Sequence, residues 1–118
     1  MSESYQEIDL GFLTADERSF PRLTFLDRQL ELSYQDFANV QQTILFHNVL
    51  GFRWDENDPC TCIPCDRVYA VQNSAWLQRT IDSMTGLPAA SHCHYKLGFN
   101  VAGAFLDVIA EKVERKHA

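Results

Sequence analysis

The densest group of chemistry-bearing side chains is Cys60-x-Cys62-x-x-Cys65, answered further along by His92-Cys93-His94. Structural zinc takes four thiolate or imidazole ligands in a tetrahedron, often from two short clusters on separate loops. Cys60, Cys62 and Cys65 with Cys93 would meet that count, and His92 and His94 compete with Cys93 for the fourth place. The spacing is not a pair of Cys-x-x-Cys knuckles, so a loop of reduced thiols without metal is the preferred reading. A redox dithiol at Cys62-Ile-Pro-Cys65 lacks support, because a strand is expected after it and no helix N-terminus is there to lower a thiol pKa. A Cys65–His94 nucleophile pair is the thinnest reading, since any thiol and any imidazole satisfy it.

Other candidates have plainer explanations. His47 falls on the mixed face of an expected strand and reads as a packed, hydrogen-bonded histidine. Asp107 and Glu111 share one face of another strand. At i and i+4 they would stand ~13 Å apart, beyond the ~5–9 Å of a glycosidase carboxylate pair, and they read as a solvated acidic stripe. No Gly-rich phosphate loop, nucleophile elbow or His-Glu-x-x-His motif occurs. With no catalytic constellation in view, the chain is not expected to be an enzyme.

The elements that must position these residues follow from periodicity. From Leu23 to Tyr34 the chain alternates. Leu26, Leu30, Leu32 and Tyr34 lie on one side of a strand and Asp27, Gln29 and Glu31 on the other, with Arg28 a blemish on the apolar side. Ile44, Phe46, Leu50, Phe52 and Trp54 share the parity of a second strand, interrupted by Asn48, and the two suggest a long antiparallel hairpin. Residues 55–66 form an acidic loop with two prolines, and residues 67–71 a short strand. Asn73 or Ser74 then caps a helix. Its Trp76, Leu77, Ile81 and Met84 are spaced for one buried face, with Trp76 as the anchor, and Gly86 with Pro88 ends it. Tyr95, Leu97, Phe99 and Val101 alternate, residues 100–103 turn the chain, and a last strand runs through Val113. The order β-β-β-α-β-β predicts an α+β fold, a mainly antiparallel sheet with one helix packed on it. The first ~20 residues are polar and weakly patterned. Thr14-Ala-Asp-Glu17 has capping-box spacing, but Pro21 limits it to a turn.

At 118 residues the chain has the length of a single domain. Its 46% hydrophobic and 22% charged residues exclude a wholly disordered chain. The net charge of −6 disfavours phosphate backbones and anionic lipid, so neither nucleic acid nor membrane is an expected partner. No apolar run approaches the ~20 residues of a membrane helix. Met-Ser-Glu-Ser-Tyr-Gln-Glu lacks the basic-then-apolar pattern of a secretory leader. A reducing cytoplasm is therefore the expected setting, where cysteines are thiols or ligands rather than disulfides.

Three stretches carry a resemblance: residues 44–54, residues 71–77 (Val-Gln-Asn-Ser-Ala-Trp-Leu), and His94-Tyr95 leading to Phe105-Leu-Asp-Val-Ile-Ala-Glu111. Together they resemble small bacterial α+β immunity-protein domains, in which a "V-x-x-S-x-W-L" helix start precedes a hairpin ending in a "hydrophobic-Asp-Val-Ile-Ala-Glu" strand. The resemblance implies a binder that neutralises a partner toxin enzyme and has no catalytic residues of its own. The acidic balance suits such a role, because carboxylates steer association with a basic cleft. Trp54, with Asp55, Glu56 and Asp58 beside it and Glu31 on the first strand, are the candidate contact residues. The alternative is a zinc-stapled structural domain. Elemental analysis of protein purified without added zinc should find far less than one ion per chain. One zinc per chain, lost when Cys60, Cys62 and Cys65 are changed to Ser, would establish the metal reading instead.

Overall fold

Arg28, Asn48 and Glu111, the polar interruptions in the alternating segments, all mark places where the chain changes direction. The computed structural model describes residues 2–56, 63–84 and 91–116. In chain order these hold β1 (Ser4–Glu7), β2 (Arg22–Leu26), β3 (Gln29–Gln35), β4 (Gln41–His47), β5 (Gly51–Glu56), β6 (Val68–Gln72), α1 (Ala75–Asp82), β7 (Cys93–Phe99), β8 (Ala104–Ala110) and β9 (Lys112–Lys116). Asp58, Cys60, Cys62, Gly86 and Pro88 lie outside the described residues.

Asp27 and Arg28 both adopt positive φ (52° and 63°). Two such residues in succession give the tight turn whose twist matches a right-handed hairpin. The strand expected over Leu23–Tyr34 is therefore the hairpin β2–β3, with Phe25 opposite Leu30. A second break falls at Asn48 (φ 51°), where the chain leaves β4 in one sheet for β5 in the other. Glu111 makes the same change between β8 and β9. The two corners are tied together. Asn48 Nδ2 donates to Glu111 Oε2 at 3.1 Å, and the Glu111 amide donates to the His47 carbonyl at 3.0 Å. One antiparallel ribbon thus passes through both sheets, as β4–β9 and then β5–β8.

The result is a four-stranded sheet in the order β2-β3-β4-β9 facing a five-stranded sheet in the order β1-β6-β7-β8-β5, every pair antiparallel. Leu30, Leu32, Tyr34, Ile44 and Phe46 from the first meet Val68, Leu97, Phe99, Leu106 and Val108 from the second. Tyr34 and Phe99 cross edge-to-face with centroids 5.2 Å apart, and the Tyr34 hydroxyl donates to the Leu13 carbonyl at 2.7 Å. Each such side chain contributes roughly 1.5–3 kcal/mol by leaving water. Strands make up 51% of the described residues and helix 9%. The expected α+β plan, one sheet with a helix on it, is thereby corrected to a mainly-β fold. Its physical reason lies in the breaks: each long alternation divides into two strands, and the second alternation and the last distribute theirs between two sheets.

The N-terminal region contributes pairing and anchoring. β1 pairs with β6. Glu17, buried, does not close a capping box; its carboxylate accepts from the Val101 and Ala102 amides, both at 2.9 Å, and holds the β7–β8 turn.

Helix α1 covers the outer face of the five-stranded sheet. Ile81 is buried there, whereas Trp76 and Leu77 are only half-buried, so the expected helix face is narrower than its spacing implied. Trp76 lies over Gly51, where a Cβ would come within 3.1 Å of the ring, and the Arg53 guanidinium stacks 4.6 Å from its centroid. Ser74 caps the helix by accepting from the Leu77 amide at 3.1 Å. Further along this face the backbone of Cys65 crosses Gly98 so closely that any side chain there would collide with it.

Because both faces are covered, β8 is buried along its whole length. Asp107 is therefore not part of a solvated stripe but is 1% exposed, while Glu111 at the corner is exposed. His94 Nε2 lies 2.6 Å from Asp107 Oδ1, Lys96 Nζ 3.2 Å from Oδ2 and Arg53 Nε 3.6 Å from Oδ2. Burial pushes this carboxyl up, but the His94 hydrogen bond and the charges of Lys96 and Arg53 outweigh it and hold it below the usual carboxylate range. A lowered folded-state pKa gives stability that is present above about pH 4, the unfolded value, and is lost as pH falls through the folded one. Asp107→Asn should cost about 3–5 kcal/mol at neutral pH by leaving the buried Lys96 ammonium facing a neutral group. The gap from wild type should narrow in acid, which urea denaturation at neutral and acidic pH will read. A gap independent of pH would show that the carboxylate charge contributes nothing.

Candidate functional site

β2 and β5 are the terminal strands of their sheets among the described residues, and both end on the same side of the sandwich. Inward-pointing side chains of a terminal strand are covered on one flank only, so aromatic residues there remain partly in water. Phe25 of β2 packs on Phe52 of β5 with centroids 5.2 Å apart, and Phe20, just ahead of β2, packs on Trp54 at 5.6 Å. Trp54 is in turn seated against buried Phe99 at 5.9 Å. Phe20 is 63% exposed and Phe25 48% exposed. The seam between the sheets is thus an aromatic strip whose inner edge is fixed by the core and whose outer rings face solvent.

The expected contact residues divide around this strip. Trp54 and Glu56 lie on one face of β5, and the indole Nε1 donates to Glu56 Oε1 at 3.1 Å, fixing the ring. Asp55 alternates to the opposite face, toward the helix side, in register with Phe105. Glu31 sits on the outer face of the four-stranded sheet, because Leu30 and Leu32 on either side of it point into the core. The structure therefore brings Trp54 and Glu56 together and sets Asp55 and Glu31 apart from them. Asp58 lies outside the described residues. Phe20, Phe25 and Phe52 were missed. Phe20 stands alone beside Pro21 in a segment without pattern, and only the meeting of two sheet edges shows where it goes.

Of the proposed zinc ligands, Cys60 and Cys62 lie outside the described residues, and Cys65 and Cys93 carry free thiols. Cys65 crosses β7 at Gly98. Cys93 begins the same strand five residues earlier, ~16 Å along it, whereas ligands of one zinc bind at ~2.0–2.3 Å. His92 Nε2 lies 3.1 Å from the Asn48 carbonyl and its Nδ1 2.6 Å from Ser91 Oγ, while both His94 nitrogens have hydrogen-bond partners. Among the described residues no group of three metal-binding side chains converges. Nor is any helix there long and apolar enough to cross a membrane.

Comparisons with known protein families, curated proteins and solved structures give no match for this chain. The surface is accordingly assigned on its geometry.

Phe20→Ala should cost less than ~1 kcal/mol, because the ring is mostly in water. Phe99→Ala should cost about 3–5 kcal/mol, because it empties the seat beneath Trp54. Chemical denaturation of the two variants will check this, and a large loss for Phe20→Ala would make the strip part of the core rather than a free surface.

Proposed function

We propose that the chain is an immunity-like protein that binds and neutralises a partner toxin enzyme, using the aromatic strip between β2 and β5 as its contact surface. The observation that carries this reading is the exposed Phe20 ring packed at a tilt on a Trp54 that is itself seated on the core. Anchors of this kind supply contact area at little entropic cost, since the ring beneath is already fixed. The net charge of −6 suits capture by a basic cleft, with Glu56 beside the anchor and the remaining carboxylates acting at longer range. The resemblance in residues 44–54, 71–77 and 94–111 points the same way.

Co-expression with a toxin encoded beside this chain should rescue growth, and the two proteins should co-purify. Phe20→Ala should weaken the complex by more than tenfold, a loss above ~1.4 kcal/mol in binding, while leaving the fold intact. Glu56→Lys should slow association most at low salt, because screening weakens exposed charges. Rescue and affinity unchanged in Phe20→Ala would place the contact surface elsewhere. Failure of both rescue and co-purification would remove the neutralising role.

A further inference from the structure

The outer face of the five-stranded sheet carries a hydrogen-bonded chain that the binding surface does not use. Asn73, with φ 57°, folds the backbone sharply between β6 and α1 and presents Ser74 at the apex of a strand–turn–helix. Ser74 Oγ lies 2.6 Å from His94 Nδ1, and His94 Nε2 lies 2.6 Å from Asp107 Oδ1. Ionised Asp107 can only accept, so whenever the ring is neutral its proton sits on Nε2. Nδ1 is then an acceptor, and Ser74 donates its hydroxyl proton to it. Trp76 meets the imidazole edge-on at 5.1 Å and fixes the ring from the side. Ser74 and His94 also line a pocket of about 570 Å³, walled by Ala70, Val71, Leu77 and Ile81. Among the described residues that line it none is Lys, Arg, Asp or Glu, so its chemistry favours an uncharged ligand.

We propose that Ser74 is a nucleophile toward small neutral carboxylic esters, with His94 as general base and Asp107 as the positioning residue. This goes beyond the binding reading and does not rest on it. Ser74 Oγ forms a bond to the ester carbonyl carbon as its proton passes to Nδ1, and the carbonyl electron pair moves onto oxygen. Collapse breaks the bond to the alkoxide, which takes the proton from Nδ1 and leaves as an alcohol. Water then attacks the acyl-serine and gives a proton to Nδ1. The second collapse returns that proton to Ser74 Oγ and releases the acid. The developing oxyanion needs a donor, and the amide that follows the nucleophile, Ala75 N–H, is one. In this structure it donates to the Glu3 carboxylate at 2.9 Å, so Glu3 must withdraw before the oxyanion can form there.

The test uses the full chain with a fluorophosphonate probe, peptide mapping, and hydrolysis of p-nitrophenyl butyrate. One probe per chain should attach at Ser74, and Ser74→Ala should abolish labelling. Asp107→Asn, where it still melts cooperatively, should lower kcat about 100-fold with KM unchanged, a split that a purely structural role would not produce. Glu3→Ala should speed labelling. Ser74→Ala also removes a helix cap, so the deciding measurement is on the wild type. Cooperatively folded wild-type protein that neither labels at Ser74 nor turns over the ester overturns the proposal. Labelling of Glu3→Ala at the wild-type rate overturns the role given to Ala75 N–H.

Discussion

A carboxylate that is almost wholly removed from water must draw its partners from the protein, and Asp107 does so from both neighbouring strands at once. Lys96 and His94 come from β7 and Arg53 from β5, the two neighbours of β8 in the sheet. His94 extends the chain to Ser74, the cap of α1, and Arg53 extends it to Trp76 on the same helix. Register, helix position and the charge state of the site are therefore linked. A slip of one residue in β7 would turn His94 and Lys96 to the other face and leave the carboxylate buried without them.

The placement of α1 follows from this arrangement. With 8 residues and Ile81 as its buried side chain, the helix has too little apolar surface to be held by burial alone. Its position is fixed at its N-terminus by Ser74 and along its first turn by the Trp76 ring over Gly51. The strip of Phe20, Trp54, Phe52 and Phe25 has the opposite origin. It exists because two terminal strands meet with no third layer over them among the described residues, so rings that would be core residues one strand further in remain half in water. The covered face and the open seam both belong to the five-stranded sheet, one serving a buried polar chain and the other an exposed surface.

The amino-acid sequence by itself determined most of the residues that face the core, though Leu26 and Val101, read on the same apolar faces, fall beside and within turns and are exposed. Leu30, Leu32, Tyr34, Ile44, Phe46, Leu97, Phe99, Leu106 and Val108 were all legible from alternation, and all are buried, because side-chain period depends only on local backbone geometry. A helix cap at Asn73 or Ser74 was legible for the same reason, since it acts within one helical turn, and the structure assigns it to Ser74. What alternation cannot show is where an extended segment stops. Asp27–Arg28 makes a two-residue turn that leaves the pattern nearly intact, and the corners at Asn48 and Glu111 leave only one polar residue each as a trace. Two sheets instead of one, and the meeting of Phe20 with Trp54, depend on those breaks and on contacts between distant segments. So does the fate of Asp107: its residue type reads as solvated, and only the covering of β8 on both faces, with His94, Lys96 and Arg53 in register beside it, makes a buried carboxylate tenable.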